Sequence, residues 1–267
     1  MIKQHKSSIN QFVDELQSKG RYTFTRQEIT KKLDKSEGAL TLALNRLQKT
    51  GRIISPKRGF YVIVSLEYKF SEGPPPLWYL QDLSRYLGCS YYLGLLSAAE
   101  IYGAAHQSPQ ELQVVTDVWE RPIKLKRSRI KFFHKWNLEE TPILEHKVST
   151  GTIRVSTPEA TAIDLVRYWK DVGSLNNVAT VLLELAPAMH KLRLATAAKK
   201  HVELSVTQRL GYLLDLVGQN ELSEGLIRLV KERDARLVKL RPDLDAKDAK
   251  INSRWSLYIN EEVEPDL

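Results

Sequence analysis

Apolar positions in the first seventy residues repeat with helical spacing and then give way to strand-like runs. Ile9, Phe12, Val13 and Leu16 fall three and four apart, the one-sided stripe of an amphipathic helix, and Gly20 is placed to stop it. The run RYTFT at 21–25 reads as a short strand. Thr25 and Glu28 then stand three apart ahead of Ile29 and Leu33, the reciprocal cap that opens a second helix. Asp34 or Ser36 is placed to cap a third, which runs to about Thr50 and ends at Gly51. RIIS at 52–55 and FYVIV at 60–64, joined by Pro56-Lys57-Arg58-Gly59, form a hairpin pattern. Helix, short strand, helix, helix, hairpin is the order of a winged helix-turn-helix, and residues 1–70 are expected to form one.

The pattern breaks at KFSEGPPP, where Pro74-Pro75-Pro76 favours a stiff, extended spacer, so 71–76 is expected to be a linker. Residues 77–267 are expected to form a larger domain. Its 77–105 stretch looks helical, QVVTDV (113–118) and IKLKRSRIKFF (123–133) look like strands, and HKVSTGTIRVS (146–156) like a hairpin around Thr150-Gly151. Helical patterns dominate from about 157 to 231, interrupted at Gly173, Pro187 and Gly218. RPDLDAKDAKINSRWSLYIN (241–260) reads as a polar loop leading to one short apolar strand. Strands and helices do not alternate, which makes the expected class α+β: an N-terminal winged helix-turn-helix followed by a larger mixed α+β domain.

Composition narrows the classes of function. The 267 residues are 42% hydrophobic and 27% charged, ordinary for a globular chain with room for two cores. No apolar stretch approaches the roughly 18 residues of a membrane span, and MIKQHKSSINQFVDEL lacks the features of a secretory signal. The single cysteine, Cys89, leaves no internal disulfide and no multi-cysteine metal framework, so a cytoplasmic protein with no membrane partner is expected. Charge is placed unevenly. Residues 1–70 carry 14 Lys and Arg against 6 Asp and Glu, whereas residues 71–267 carry 26 of each. The whole excess lies in the first module, as in a polyanion-binding domain joined to a neutral one.

On a wheel of about 100° per residue, Leu40, Ala43, Leu44 and Leu47 face the core, while Thr41, Asn45 and Lys49 lie opposite with Gly38. Asn45 can pair with adenine, Thr41 can offer its hydroxyl or its methyl to a base, and Lys49 can reach a phosphate. Leu42 also tilts outward. Lys57 and Arg58, side by side in the hairpin turn, suit a wing laid along a duplex, and Arg58 could instead enter a narrow minor groove. Arg21, Arg26, Lys31, Lys32 and Lys35 flank the same assembly, and Ser36 stands at the start of the third helix. Arg21, Arg26, Lys35, Ser36, Thr41, Asn45, Lys49, Lys57 and Arg58 are therefore the candidate contacts to double-stranded DNA. The bland alternative is a helical bundle with solubilising charges. RNA is less favoured, because single-strand readers use exposed aromatic platforms, and Tyr22, Phe24, Phe60 and Tyr61 are expected in the core and strands.

Beyond the spacer, YYLGLLSAAEIYGAAHQSPQELQVVT (91–116), STPEATAIDLVRY (156–168), GSLNNVATVLLEL (173–185) and INSRWSLYIN (251–260) resemble signature segments of AbiEi antitoxins, the regulator halves of bacterial abortive-infection (phage-defence) toxin–antitoxin pairs of type IV. The resemblance covers both domains, essentially residues 7–260. Tyr102 stands where the family pattern has His; His106 is retained. The resemblance implies a winged helix that binds inverted repeats in the promoter of its own operon and represses it. It also implies a C-terminal domain that counters a nucleotidyltransferase-like toxin, with or without a stable complex.

From the residues themselves, the second domain's motifs look structural. Ser156 or Thr157 caps a helix, with Pro158 in its first turn and Glu159 at the positive end of its dipole. Ala162, Ile163 and Val166 are expected to pack inward, and Asp164 to make a surface pair with Arg167. Glu159 and Asp164 stand about 140° apart on the wheel, against a shared catalytic role. His106 reads as a loop hydrogen-bonder, and His134, His146, His190 and His201 are scattered. No nucleophile triad, phosphate loop or metal-ligand spacing is readable, so no catalytic residue, metal or cofactor is expected. Residues 121–135 carry Arg121, Lys124, Lys126, Arg127, Arg129, Lys131 and Lys135 without an acid. These make either a charged strand edge guarded against aggregation or a second polyanion surface. Two other readings of the second domain stay open, an enzyme (hydrolase or nuclease) and a module that binds the toxin directly.

Overall fold

The structure, a computed structural model, describes residues 8–71, 73–104, 109–200 and 203–265. The sequence-derived expectations for His106 and His201 lie outside the described residues. The first module runs α1 (Ile9–Ser18), β1 (Thr23–Thr25), α2 (Arg26–Lys32), α3 (Glu37–Lys49), β2 (Ile53–Lys57) and β3 (Phe60–Ile63). Its helices start where their caps dictate. Ser8 and Gln11 exchange hydrogen bonds at the start of α1, Thr25 and Glu28 do the same for α2, and Ser36 rather than Asp34 caps α3. The strands form an antiparallel sheet of order β1-β3-β2. Phe12, Val13, Phe24, Ile29, Leu40 and Leu44 fill the core between the three helices and the sheet, with Phe12 edge-on to Phe24 and Phe24 stacked on Tyr61. This is a winged helix-turn-helix.

Pro76 opens a single 3-10 turn, Pro76–Trp78, and the Trp78 ring lies edge-on to Tyr22 and Tyr68. The chain then forms α4 (Leu80–Leu87), β4 (Tyr91–Leu93), α5 (Leu95–Ile101), β5 (Leu112–Thr116), β6 (Ile123–Lys124), β7 (Arg129–His134), β8 (Ile143–Val148) and β9 (Gly151–Ser156). Five helices follow, α6 (Pro158–Arg167), α7 (Leu175–Leu185), α8 (Lys191–Lys199), α9 (Leu204–Leu216) and α10 (Asn220–Glu232). Short strands β10 (Val238–Lys239), β11 (Lys250–Asn252) and β12 (Leu257–Ile259) complete it. The main sheet is mixed, of order β6-β7-β5-β4-β9-β8. Residues of α6, α7, α9 and α10 share a core with its Tyr92, Val115 and Phe133. A second core gathers Leu80, Leu83, Tyr91, Leu93, Val114 and Ile130. Phe60 and Val62 of the wing belong to that second core, so the wing sheet and the main sheet share one apolar seam.

Three expectations change. The 77–105 stretch is not helical throughout: β4 divides it, and β4 is a central strand, antiparallel to β5 and parallel to β9. A three-residue strand buried on both faces shows no alternation to distinguish it from helix. The terminal segment holds two strands, and β12 pairs with both β10 and β11. Asp164 is fully buried rather than at the surface. Every residue of α6 from Pro158 to Val166 is buried, because this helix lies in the middle of the domain. Trp255 packs so closely on α9 that a Cβ at Gly211 would lie 2.1 Å from its ring. No helix among the described residues is long and apolar enough to cross a membrane.

Candidate nucleic-acid interface

The cap at Ser36 and the leucine face of α3 fix which way the helix points. Ser36 Oγ accepts from the Ala39 amide at 3.3 Å, and Leu40, Leu44 and Leu47 are buried. Thr41, Leu42, Asn45 and Lys49 are all exposed, Leu42 to 63%. Asn45 and Lys49 make no hydrogen bond or ion pair with other described residues, so their polar groups face solvent alone. Arg46, exposed in the last turn, was not singled out from the sequence; its signal was only its place in the basic C-terminal turn.

Thr41 is not free in the same sense. Its hydroxyl donates to the Glu37 carbonyl at 2.8 Å and accepts from Arg26 Nη2 at 2.9 Å. The Arg26 guanidinium also meets the Glu37 carboxylate at 2.5 Å, which raises the Arg26 pKa and lowers that of Glu37. Arg26 thus ties the start of α2 to the first turns of α3 and sets the angle at which the outer face of α3 is presented. Arg21 is paired with Glu28. Burial alone would raise the Glu28 pKa, but the Arg21 hydrogen bond and the Thr25 amide outweigh it and hold the carboxylate below its ordinary value. Lys35 is exposed and carries no side-chain partner among the described residues.

The wing tip departs from the expected pair of free cations. Lys57 Nζ lies 2.6 Å from Glu120 Oε2, so the second domain supplies a countercharge that the local sequence did not show. The Arg58 guanidinium stays exposed and unpaired, while its carbonyl accepts from the Tyr86 hydroxyl at 2.8 Å. Gly59 turns at φ +81°, and a Cβ there would meet the Tyr86 oxygen at 2.7 Å. Phe60 packs against the same tyrosine ring, 5.3 Å between centroids. The wing is therefore seated on α4 and on the 117–122 loop.

The basic run 121–135 separates into two groups. Arg129 pairs with Glu111 at 3.4 Å and Lys131 with Asp171 at 2.8 Å. Lys135 turns inward to Asp164 at 3.0 Å. Arg121, Lys124, Lys126 and Arg127 are exposed around the β6–β7 hairpin. This hairpin comes close to the winged domain. A surface cavity of about 390 Å³ is lined by Gln48, Lys49 and Ile54 on one side and by Leu125 and Lys126 on the other.

The buried acids of α6 are saturated by neighbours and do not converge. Glu159 accepts from the His190 amide at 3.0 Å and from Arg193 Nε at 2.9 Å. Asp164 accepts from the Tyr92 hydroxyl at 2.5 Å and from Lys135, with Arg167 at 3.6 Å. Burial, together with the nearby Asp164 charge, pushes the Tyr92 pKa well up. Tyr102 donates to the Ser156 carbonyl at 2.7 Å, a structural tie between α5 and the end of β9. Among the described residues no group of three or more His, Cys, Asp or Glu is arranged to hold a metal ion.

A family described as "Transcriptional regulator, AbiEi antitoxin" matches residues 11–64, and one described as "AbiEi antitoxin C-terminal domain" matches residues 92–216. No curated protein matches the sequence. The crystal structure of the RV2827C protein from Mycobacterium tuberculosis superposes with a TM-score of 0.64 at 15% identity, over 93% of this chain and 89% of that one, a likeness of fold. A nucleotidyltransferase-like antigenic protein from Paracoccidioides brasiliensis gives a TM-score of 0.40 at 11% identity, over 56% of this chain and 89% of that one.

Proposed function

Because the chain belongs to the AbiEi antitoxin family, carrying its regulator domain and then its C-terminal domain, we propose that it represses its own operon and neutralises the toxin encoded there. In this reading α3 enters the major groove of promoter DNA at inverted repeats, in the bacterial cytoplasm, without metal or cofactor. Asn45 reads a base edge, Lys49, Arg46, Lys35 and Arg58 hold phosphates, and Arg26 sets the pose of α3 through Thr41 and Glu37. Thr41 then offers a base its methyl rather than its hydroxyl. The observation that carries the reading is the outer face of α3, whose Asn45 and Lys49 are exposed and unpartnered on a capped helix. A solvated face on a bundle would not need the first module to hold the entire charge excess, 14 cations against 6 acids. The second domain is assigned the antitoxin role towards a nucleotidyltransferase-like toxin, with no catalytic residue of its own.

The exposed cations of the β6–β7 hairpin extend the same surface, since Lys126 and Lys49 line one cavity. We assign Lys124, Lys126 and Arg127 to phosphates flanking the core site. Fluorescence anisotropy with the promoter duplex tests the reading: the full chain should bind it with a steep salt dependence and prefer it to scrambled DNA. Equal affinity for both duplexes would remove the base-reading role of α3, and no binding would remove the repressor role.

A further inference from the structure

Single-stranded RNA is read by exposed aromatic platforms. The second domain has one. Trp119 and Trp136 are 81% and 82% exposed, and both rest on a single imidazole, that of His134. Trp119 stacks on the His134 ring at 4.5 Å and 19° between planes, and Trp136 stands edge-on to it at 5.3 Å and 84°. The rings come together at the C-terminal ends of the parallel strands β5 and β7, where the Lys135 amide bonds the Thr116 carbonyl. Exposing two indoles forfeits the burial that usually decides where tryptophan sits, and neither ring is needed to close a core.

Charge around the platform indicates what covers it. Of the seven Lys and Arg between the two tryptophans, Arg129, Lys131 and Lys135 are paired with Glu111, Asp171 and Asp164, Lys124, Lys126 and Arg127 lie around the β6–β7 hairpin, and the one acid, Glu120, is taken by Lys57. Arg121, two residues from Trp119, is exposed and unpartnered. Flat exposed rings beside an unpaired guanidinium, that of Arg121, suit bases on a phosphate chain. A duplex keeps its bases paired and stacked, so the rings need bases that are splayed out, the ordinary state of RNA loops and ends. We infer that Trp119, His134 and Trp136 form a stacking platform for single-stranded RNA, with Arg121 on its phosphates. This inference does not depend on duplex binding by α3.

The test uses the full chain and a labelled, unstructured RNA of about 12 nucleotides. Binding should be measurable by anisotropy and should quench tryptophan emission. Trp119→Ala and Trp136→Ala should each weaken it by about fivefold or more, with Trp119→Phe and Trp136→Phe keeping most of the affinity. Unchanged thermal melting of the alanine variants shows that the loss is not unfolding. The inference is overturned by absence of RNA binding, by binding indifferent to both alanine variants, or by equal binding of single-stranded DNA of the same sequence. Tryptophan-dependent capture of the toxin without RNA binding also overturns it and makes the patch a protein interface. A promoter-duplex arm run in parallel keeps the two readings apart, because the tryptophan variants should leave duplex affinity within twofold of the parent.

Discussion

Lys57 at the tip of the wing and Glu120 in the second domain form an ion pair of 2.6 Å. The two residues lie 63 positions apart in the chain. The pair makes one of the wing's two cations part of a clasp between the winged domain and the second domain. Arg58 is left as the tip's free charge, held in place by the Tyr86 hydroxyl on its own carbonyl.

That pair yields a salt-dependence prediction. Arg58→Ala should lower the slope of log K against log salt by about 1 on promoter DNA. Lys57→Ala should change it much less, because its charge is already neutralised. Glu120→Gln should release Lys57 and steepen the slope. A Lys57→Ala slope as shallow as that of Arg58→Ala would mean that the clasp opens on DNA.

Asn45→Ala should relax base preference at one position of the site and cost on the order of 1–3 kcal/mol on the preferred duplex. Competition titrations with single-base operator variants measure this. Lys49→Ala should instead weaken all duplexes alike. An Asn45→Ala protein with the parental preference removes Asn45 from base reading.

Asp164 answers two cations and a tyrosine in the interior. Asp164→Asn keeps the shape but leaves Lys135 and Arg167 without their buried countercharge, and unfolding should cost roughly 3–5 kcal/mol less than in the parent. Denaturant melts give the figure. Antitoxin activity retained alongside that loss would agree with a structural role.

Gly211→Ala should also destabilise the protein, by about 1–3 kcal/mol, since the new methyl meets the Trp255 ring and overpacking outweighs the gain in helix propensity. A neutral or stabilising result in thermal melts would show that Trp255 can move aside.

Glu28 gives a pH signature. Its folded pKa lies below the ordinary 4.5, so its contribution is complete above that value and fades as pH falls through the folded pKa. The melting temperature of Glu28→Gln should therefore lie below that of the parent at neutral pH and converge with it in acid. Because Glu28 is partly solvent-exposed, the difference should stay under about 1 kcal/mol. A gap that persists at low pH would assign the effect to packing rather than charge.

Local chemistry made the first module legible: Thr25 with Glu28, Ser36, Gly51 and the four apolar positions of α3 announce their elements within a few residues. The exposure of Asn45 and Lys49 followed from the same periodicity. Contacts between distant parts of the chain left no such trace. Nothing near Lys57 points to Glu120, and nothing near Asp164 points to Tyr92 and Lys135. Trp119 and Trp136 read as separate residues because only the parallel pairing of β5 with β7 brings them to one imidazole. Strand β4 escaped detection because both its faces are covered.

Phe60 and Val62 sit in the same apolar seam as Leu80, Leu83 and Tyr91. A cut near Gly73 would strip that seam from both halves at once, so a chimera carrying a foreign reading head must reproduce these side chains to stay folded. The same seam joins the winged domain to the rest of the molecule. On the proposed function, two copies seated on opposed repeats would hold their larger domains at a separation set by operator spacing.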